Sequence, residues 1–226
     1  MHPAFPFRVK KRQLWLSAEC CIFWEDQRSL ILSDLHFGKT GHFRKSGIAV
    51  PQSVYKDDLQ RLVMQIQYFQ PRQLIIVGDM FHSHGNREVD LFKRWRSDFS
   101  GLDVHLIKGN HDILHDAYYS ECGITVNEET MILDGLCFIH DIEHLRNKKI
   151  ENDSTPFVNY CFSGHKHPGI RINGAGKQSI CLPCFYFGEE YAVIPAFSRF
   201  TGIAIIKPAH NEHVFAIAEK KIIRLQ

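Results

Sequence analysis

Two aspartates, an asparagine and four histidines stand at the ends of five apolar runs of strand length. Asp34 and His36 follow LILS, Asp79 follows LIIVG, Asn110 follows VHLIKG, His140 follows LCFI, and His165 and His167 follow NYCFSG. Residues two apart on extended backbone face the same way, so Asp34 can act with His36, and His165 with His167. Gly78 permits the close turn that exposes Asp79. Gly109-Asn110-His111-Asp112 sets an amide oxygen, an imidazole and a carboxylate in succession. Each motif alone has a bland explanation in a solvated turn or surface histidines, whereas their ordered recurrence at run ends does not. Three oxygen donors (Asp34, Asp79, Asn110) and four imidazoles (His36, His140, His165, His167) are too many for one tetrahedral ion. They suit two cations sharing a carboxylate. A set without thiolate fits Mn, Fe or Zn better than Ca.

The runs that must position these groups are continuously apolar, as in strands covered on both faces, and ligands of such sheets bind beyond the strands' carboxyl ends. Between the runs, Leu59, Leu62, Val63, Ile66 and Phe69 predict a helix opening at Pro51-Gln52-Ser53 and stopping before Pro71. Leu91, Phe92, Trp95 and Phe99 predict a second from Glu88 to Phe99. Beyond about residue 124 short strand-like pieces dominate, including GIRING and the tail HVFAIAEKKIIRL. The pattern is a βαβ first half joined to a mostly β second half. With no repeat or linker, one domain over residues 1–226 is expected, and residues 148–155 read as an exposed loop.

Composition narrows the function classes. The chain has 226 residues, 44% hydrophobic, with 27 Lys and Arg against 25 Asp and Glu, a net charge of +2. That is globular, and it carries no chain-wide basic footprint for tight nonspecific nucleic-acid binding. No apolar stretch is long enough for a membrane span, and the first dozen residues lack a secretory core, so a soluble cytoplasmic protein is expected. Seven scattered cysteines argue against a disulfide framework. Cys181 and Cys184 have metal-knuckle spacing, but ICLPCFYF reads better as a buried strand. Phe185, Tyr186, Phe187 and Tyr191 read as core or sheet-face residues ahead of base-stacking ones.

With these motifs in order over roughly residues 30–170, the sequence resembles the calcineurin-like metallophosphoesterase superfamily. Within it, DLHFGKTGHFRKSGIAVP, GDMFHS and PAFSRFTG are similar to the bacterial ligase-associated DNA-damage-response endonucleases, the PdeM group. The resemblance implies a mixed α/β (α+β) fold, a four-layer αββα sandwich of two mixed β-sheets flanked by helices. It places Asp34, His36 and His167 on one metal and Asn110, His140 and His165 on the other, with Asp79 bridging. The fourth block reads His140-Asp141 where many relatives have His-Gly. Two divalent ions are expected, manganese ahead of iron or zinc.

Such a cation pair lowers the pKa of a shared water from 15.7 towards about 7, so phosphodiester hydrolysis by a bridging hydroxide is expected. His111, outside the donor count, would protonate the leaving alkoxide, with Asp112 orienting it. Lys39, His42, Arg44 and Lys45 form a cationic segment suited to substrate phosphate, and His82 and His84 are placed to support the ligands through hydrogen bonds. The expected substrate is nucleic acid in DNA repair, with a DNA ligase and a helicase as functional partners by resemblance only, and no membrane. Alternatives are a small-molecule or nucleotide phosphodiesterase or phosphatase, and an inactive interaction scaffold, against which the intact ligand blocks speak.

Overall fold

The computed structural model describes residues 3–45, 47, 53–82, 87–144, 158–176 and 178–226. Its first sheet begins as an antiparallel meander of β1 (Phe5–Val9), β2 (Arg12–Ser17), β3 (Cys21–Trp24) and β4 (Ser29–Leu32). It continues in parallel through β5 (Gln73–Val77), β6 (Asp103–Ile107) and β7 (Ile124–Asn127). Crossovers run through α1 (Lys39–Lys45) and α2 (Ser53–Phe69), α3 (Arg87–Asp98), and α4 (Asp116–Glu121). Leu62 and Ile66 of α2 and Phe92 and Trp95 of α3 are buried in the main core, the apolar stripe that 3–4 spacing predicts.

The second sheet is built from β8 (Thr130–Leu133), β9 (Leu136–Ile139), β10 (Tyr160–Ser163), β11 (Pro168–Asn173), β12 (Ser179–Phe187), β13 (Tyr191–Val193) and β14 (Ala204–Ile205). Its order is β14-β11-β12-β13-β10-β9-β8, and the hairpin of β15 (His213–Ala218) and β16 (Lys221–Arg224) joins through β12. Strands β9, β10 and β13 are mutually parallel. The molecule is thus mixed α/β with two mixed sheets and few helices, the class the sequence resemblance implies.

One core cluster takes side chains from both sheets, Trp24, Leu32 and Ile76 from the first and Phe138, Phe162 and Phe187 from the second. Phe7 packs on Phe187 at 4.7 Å and on Phe215 at 4.8 Å between ring centroids. Strands β4, β9 and β10 are buried at every position, as sheets covered on both faces require. All five motif-bearing runs are strands, and their carboxyl ends gather at one edge of the sandwich.

The sequence reading differs from the structure in several places. The basic segment at 39–45 is helical although Gly41 and the lack of an apolar period hide it, and the six-residue α4 is too short to show periodicity. Cys181 and Cys184 do lie on a strand, but only Cys184 is buried, because that strand's first half is exposed. All seven cysteines are free, and Phe185, Tyr186 and Phe187 are buried in the core. The expected loop at 148–155 lies outside the described residues. No helix among the described residues is long and apolar enough to cross a membrane.

Candidate metal centre

Each donor hangs just past the carboxyl end of its strand. Asp34 and His36 follow β4, Asp79 follows β5, Asn110 follows β6, His140 follows β9, and His165 and His167 lie between β10 and β11. The loops are knitted together through their main chains. Asp34 N donates to Gly78 O (3.1 Å), His36 N to Asp79 O (2.9 Å), and Gly164 N to His140 O (3.1 Å). Across the sheets, His165 N donates to Asp34 Oδ2 (3.1 Å) and Phe197 N to Ser33 O (2.9 Å).

Two clusters result, Asp34 with His36 and His167, and Asp79 with His140 and His165, the donor atoms of each lying within 4.8 Å of one another. Both clusters draw on both sheets. Asp34, His36, Asp79 and His140 are buried, whereas His165 and Asn110 are exposed at the mouth. Asn110 Oδ1 joins the second cluster 3.2 Å from His140 Nε2. All seven donors named from the sequence therefore converge on one place.

The backbone of this site is strained. Asp34, His36, Asp79, His165 and His167 all adopt left-handed φ values between 45° and 64°. Such a conformation costs a residue with a side chain on the order of 1 kcal/mol or more, and it persists only where the surroundings impose it. Three glycines precede donors because nothing larger fits. A Cβ on Gly78 would overlap the His140 ring, one on Gly109 would overlap Asp79, and one on Gly164 would stand 2.8 Å from Asp34 Oδ2.

Protonation follows from the hydrogen bonds. His140 Nδ1 faces Val77 O at 3.1 Å and His167 Nδ1 faces Gly202 O at 3.2 Å. A carbonyl can only accept, so each Nδ1 carries the proton and turns an Nε2 lone pair inward. His140 Nε2 faces Asp79 Oδ2 at 3.5 Å and His165 Nδ1 at 3.2 Å. His167 Nε2 stands 3.2 Å from Asp34 Oδ1, which is nevertheless without a hydrogen bond, as is His36 Nε2. Buried lone pairs facing lone pairs are costly unless a cation lies between them.

The charge environment agrees. Burial alone would lower the His140 pKa, but Asp79 and Asp34 outweigh it and pull it up to about 9. Burial, which alone would raise the Asp79 pKa, is outweighed by His140 and the His111 amide, so the carboxyl sits at about 2. Burial and then Lys39 hold His36 down at about 3, neutral and able to donate its lone pair. This donor set of carboxylate, amide and imidazole fits a pair of divalent cations.

The family model described as calcineurin-like phosphoesterase matches residues 28–169, well over half the chain. The chain belongs to the calcineurin-like phosphoesterase family. It is therefore assigned to a family of hydrolases that use divalent metals. Among solved structures, a nuclease of Pseudomonas putida called MPE is 26% identical, with 98% of this chain and 100% of that one covered at a TM-score of 0.79. A phosphoesterase from E. coli is 14% identical over 86% of this chain and 96% of its own, TM-score 0.43. A conserved protein of Streptococcus pneumoniae described as a predicted phosphoesterase is 12% identical over 84% and 82%, TM-score 0.35. No curated protein sequence matches this phosphoesterase.

Around the phosphoesterase's donors, His82 Nδ1 lies 3.4 Å from His36 Nδ1, and its ring packs 4.3 Å from that of His111. Lys39 is half-buried and its charge reaches Asp34 and Asp79, while burial lowers its pKa. The side chains of His42, Arg44 and Lys45, and all of His84, lie outside the described residues.

Asp112, expected to orient His111, also ties two loops together. Its Oδ1 accepts from Phe81 N and its Oδ2 from Gly109 N, both at 2.9 Å, clamping the loop after β5 to the loop after β6. Burial pushes its pKa up to about 7 despite these bonds. Asp112→Ala leaves two amides without their acceptor. We expect a stability loss of about 2–4 kcal/mol by urea denaturation, with Asp112→Asn, which keeps one acceptor oxygen, losing less.

Sequence reasoning missed what surrounds the donors: the Val77 and Gly202 carbonyls behind the histidines, and the buried network of Arg61 with Glu19 and Asp58. The repeated glycine before Asp79, Asn110 and His165 was the available signal for a crowded centre.

Proposed function

We propose that the chain is a two-metal phosphodiesterase that cuts nucleic acid, with Asp34, His36 and His167 holding one cation, Asn110, His140 and His165 the other, and Asp79 between them. The observation that carries this reading is the convergence of six donors into two clusters, with Asn110 beside the second, in a chain alignable end to end with a nuclease. The catalytic domain spans 1–226, since β1–β3, which precede the family match, are hydrogen-bonded into the first sheet.

When bound, the cation pair supplies Lewis-acid charge at the phosphate and water acidified to near neutrality. The chain's own residues do the rest. Asp34 and Asp79, fixed by the His165 and His111 amides, set the negative charge that holds the cations. Lys39 lies close enough for its charge to act on Asp34 and Asp79, and so to meet phosphate oxygens. His111 belongs to neither cluster, and its ring stands 5.5 Å from that of His36 at the half-buried rim. From a ring nitrogen it gives a proton to the departing alkoxide, with His82 packed behind it.

His111→Ala should keep its metal content by elemental analysis and lose about 10²–10⁴ in turnover on an alkoxide leaving group. With p-nitrophenolate, which needs no proton, it should lose far less. Equal losses on the two would remove the acid role.

The reading is tested by stripping the protein with chelator, restoring manganese, iron or zinc singly, and assaying single- and double-stranded DNA, RNA and a nucleotide diester. Internal strand cleavage restored by metal is the expected result. Turnover of the nucleotide diester with every strand left intact would favour a nucleotide phosphodiesterase instead. A place in DNA repair beside a ligase and a helicase is supported by the sequence resemblance alone.

A further inference from the structure

A pocket of about 320 Å³ opens beside His167, bounded by the stretch Pro195–Gly202 and the turn between β15 and β16. Its size is at the lower end of small-molecule sites, which run about 300–1,000 Å³. The stretch is fastened to the donor loops, since Ser198 N donates to Asp34 O (3.1 Å) and Gly202 O faces His167 Nδ1. Whatever occupies the pocket is therefore held in fixed relation to the first donor cluster.

The lining has two characters. Pro168, Pro183, Ile203 and Ile217 make an apolar wall. Opposite chemistry comes from Arg61, Arg199 and Lys220, with Glu19 among them. The Arg61 guanidinium is spent internally, on Glu19 Oε2 (2.6 Å), Asp58 Oδ1 (2.8 Å) and Phe197 O (2.9 Å), and it stacks 4.5 Å over the Phe197 ring. Arg199 is only loosely paired, 3.6 Å from Glu19 with its side chain 56% exposed, and Lys220 is exposed on the turn. Three cations against the carboxylates of Glu19 and Asp58 leave the pocket positive, with its two outermost charges available to an anion.

We infer that this pocket is a nucleotide subsite for single-stranded nucleic acid. It takes the unit next to the phosphate at the donor clusters, with its base against the proline and isoleucine wall and its phosphate on Arg199 and Lys220. The inference rests on the nuclease reading and adds a preference for unpaired strands, because a base held in a duplex stack cannot lay its face against the recessed proline and isoleucine wall without leaving that stack. Guanidinium and ammonium groups serve this purpose as fork and point charge.

The test compares kcat/KM on a single-stranded oligonucleotide with that on bis(p-nitrophenyl) phosphate, which is too short to span both places. In Arg199→Ala and in Lys220→Ala the oligonucleotide-to-diester ratio should fall about tenfold or more, as removal of one charge-assisted hydrogen bond predicts. The log–log salt dependence of oligonucleotide KM should also flatten by about 0.7 for each phosphate-bound cation removed, which a merely structural role would not produce. Thr201→Trp, which fills the pocket without removing a charge, should lower the ratio and leave the slope alone. Ratios within twofold of the wild type in all three variants overturn the subsite while leaving the nuclease reading intact. A wild type that turns over the small diester and leaves the oligonucleotide whole overturns both.

Discussion

Asp79→Ala should lose activity and bound metal together. Asp79 belongs to the second cluster and is the proposed bridge to the first: Oδ2 faces His140 Nε2 at 3.5 Å, and Oδ1 accepts the His111 amide at 2.9 Å. Its carboxyl is ionised down to about pH 2, and it is buried, so its charge is little screened. Removing it leaves four inward-facing imidazoles with one carboxylate, and two divalent charges are no longer balanced. A metal pair supplies several kcal/mol to the transition state, and each 1.36 kcal/mol is tenfold, so turnover should drop about a thousandfold or more. Elemental analysis should show at most one ion per chain, with the circular dichroism of the wild type. Two ions per chain in the variant would count against the bridging role.

Gly78→Ala should be strongly destabilising, for its Cβ would stand closer to its neighbours than at any other glycine among those described. Gly78 has φ 80°, and an added Cβ would overlap the His140 ring, displacing it from Val77 O. Left-handed strain and overpacking together should cost about 3–5 kcal/mol, a large share of a typical 5–15 kcal/mol fold stability. Gly101→Ala, with open space around the new methyl, should stay within about 0.5 kcal/mol of wild type. Urea denaturation of the two variants makes the comparison. A Gly78→Ala protein as stable as Gly101→Ala would show that His140 can move freely, and would weaken its place in the centre.

How much of this was legible in the sequence depended on the range of the interaction. The five strands announced themselves because burial on both faces demands unbroken apolar residues, and α2 and α3 because a one-sided stripe repeats at 3–4 spacing. Donors at strand ends are likewise local, so the seven residues could be named and counted. The meander β1–β3 left no mark beside them, since β1 and β2 are only partly buried and so carry no unbroken apolar run. Nothing in a one-dimensional reading shows that Arg61 meets Glu19, 42 positions away, or that Phe197 caps Arg61 from 136 positions away. The left-handed backbone of five donors was equally invisible, because aspartate and histidine occupy both left-handed and ordinary conformations and local sequence does not say which. Adjacency in sequence likewise could not show that Asp112 accepts from two main-chain amides on neighbouring loops.

That each donor cluster borrows from both sheets gives the molecule a mechanical property. Cations held there would act as rivets through two plates, so slippage of one plate by a fraction of an ångström would alter their spacing while every strand ladder stays paired. Warming should therefore silence catalysis some degrees before the secondary structure melts, and the interval between the two temperatures should narrow as free metal is raised, since ligand binding favours the clamped arrangement.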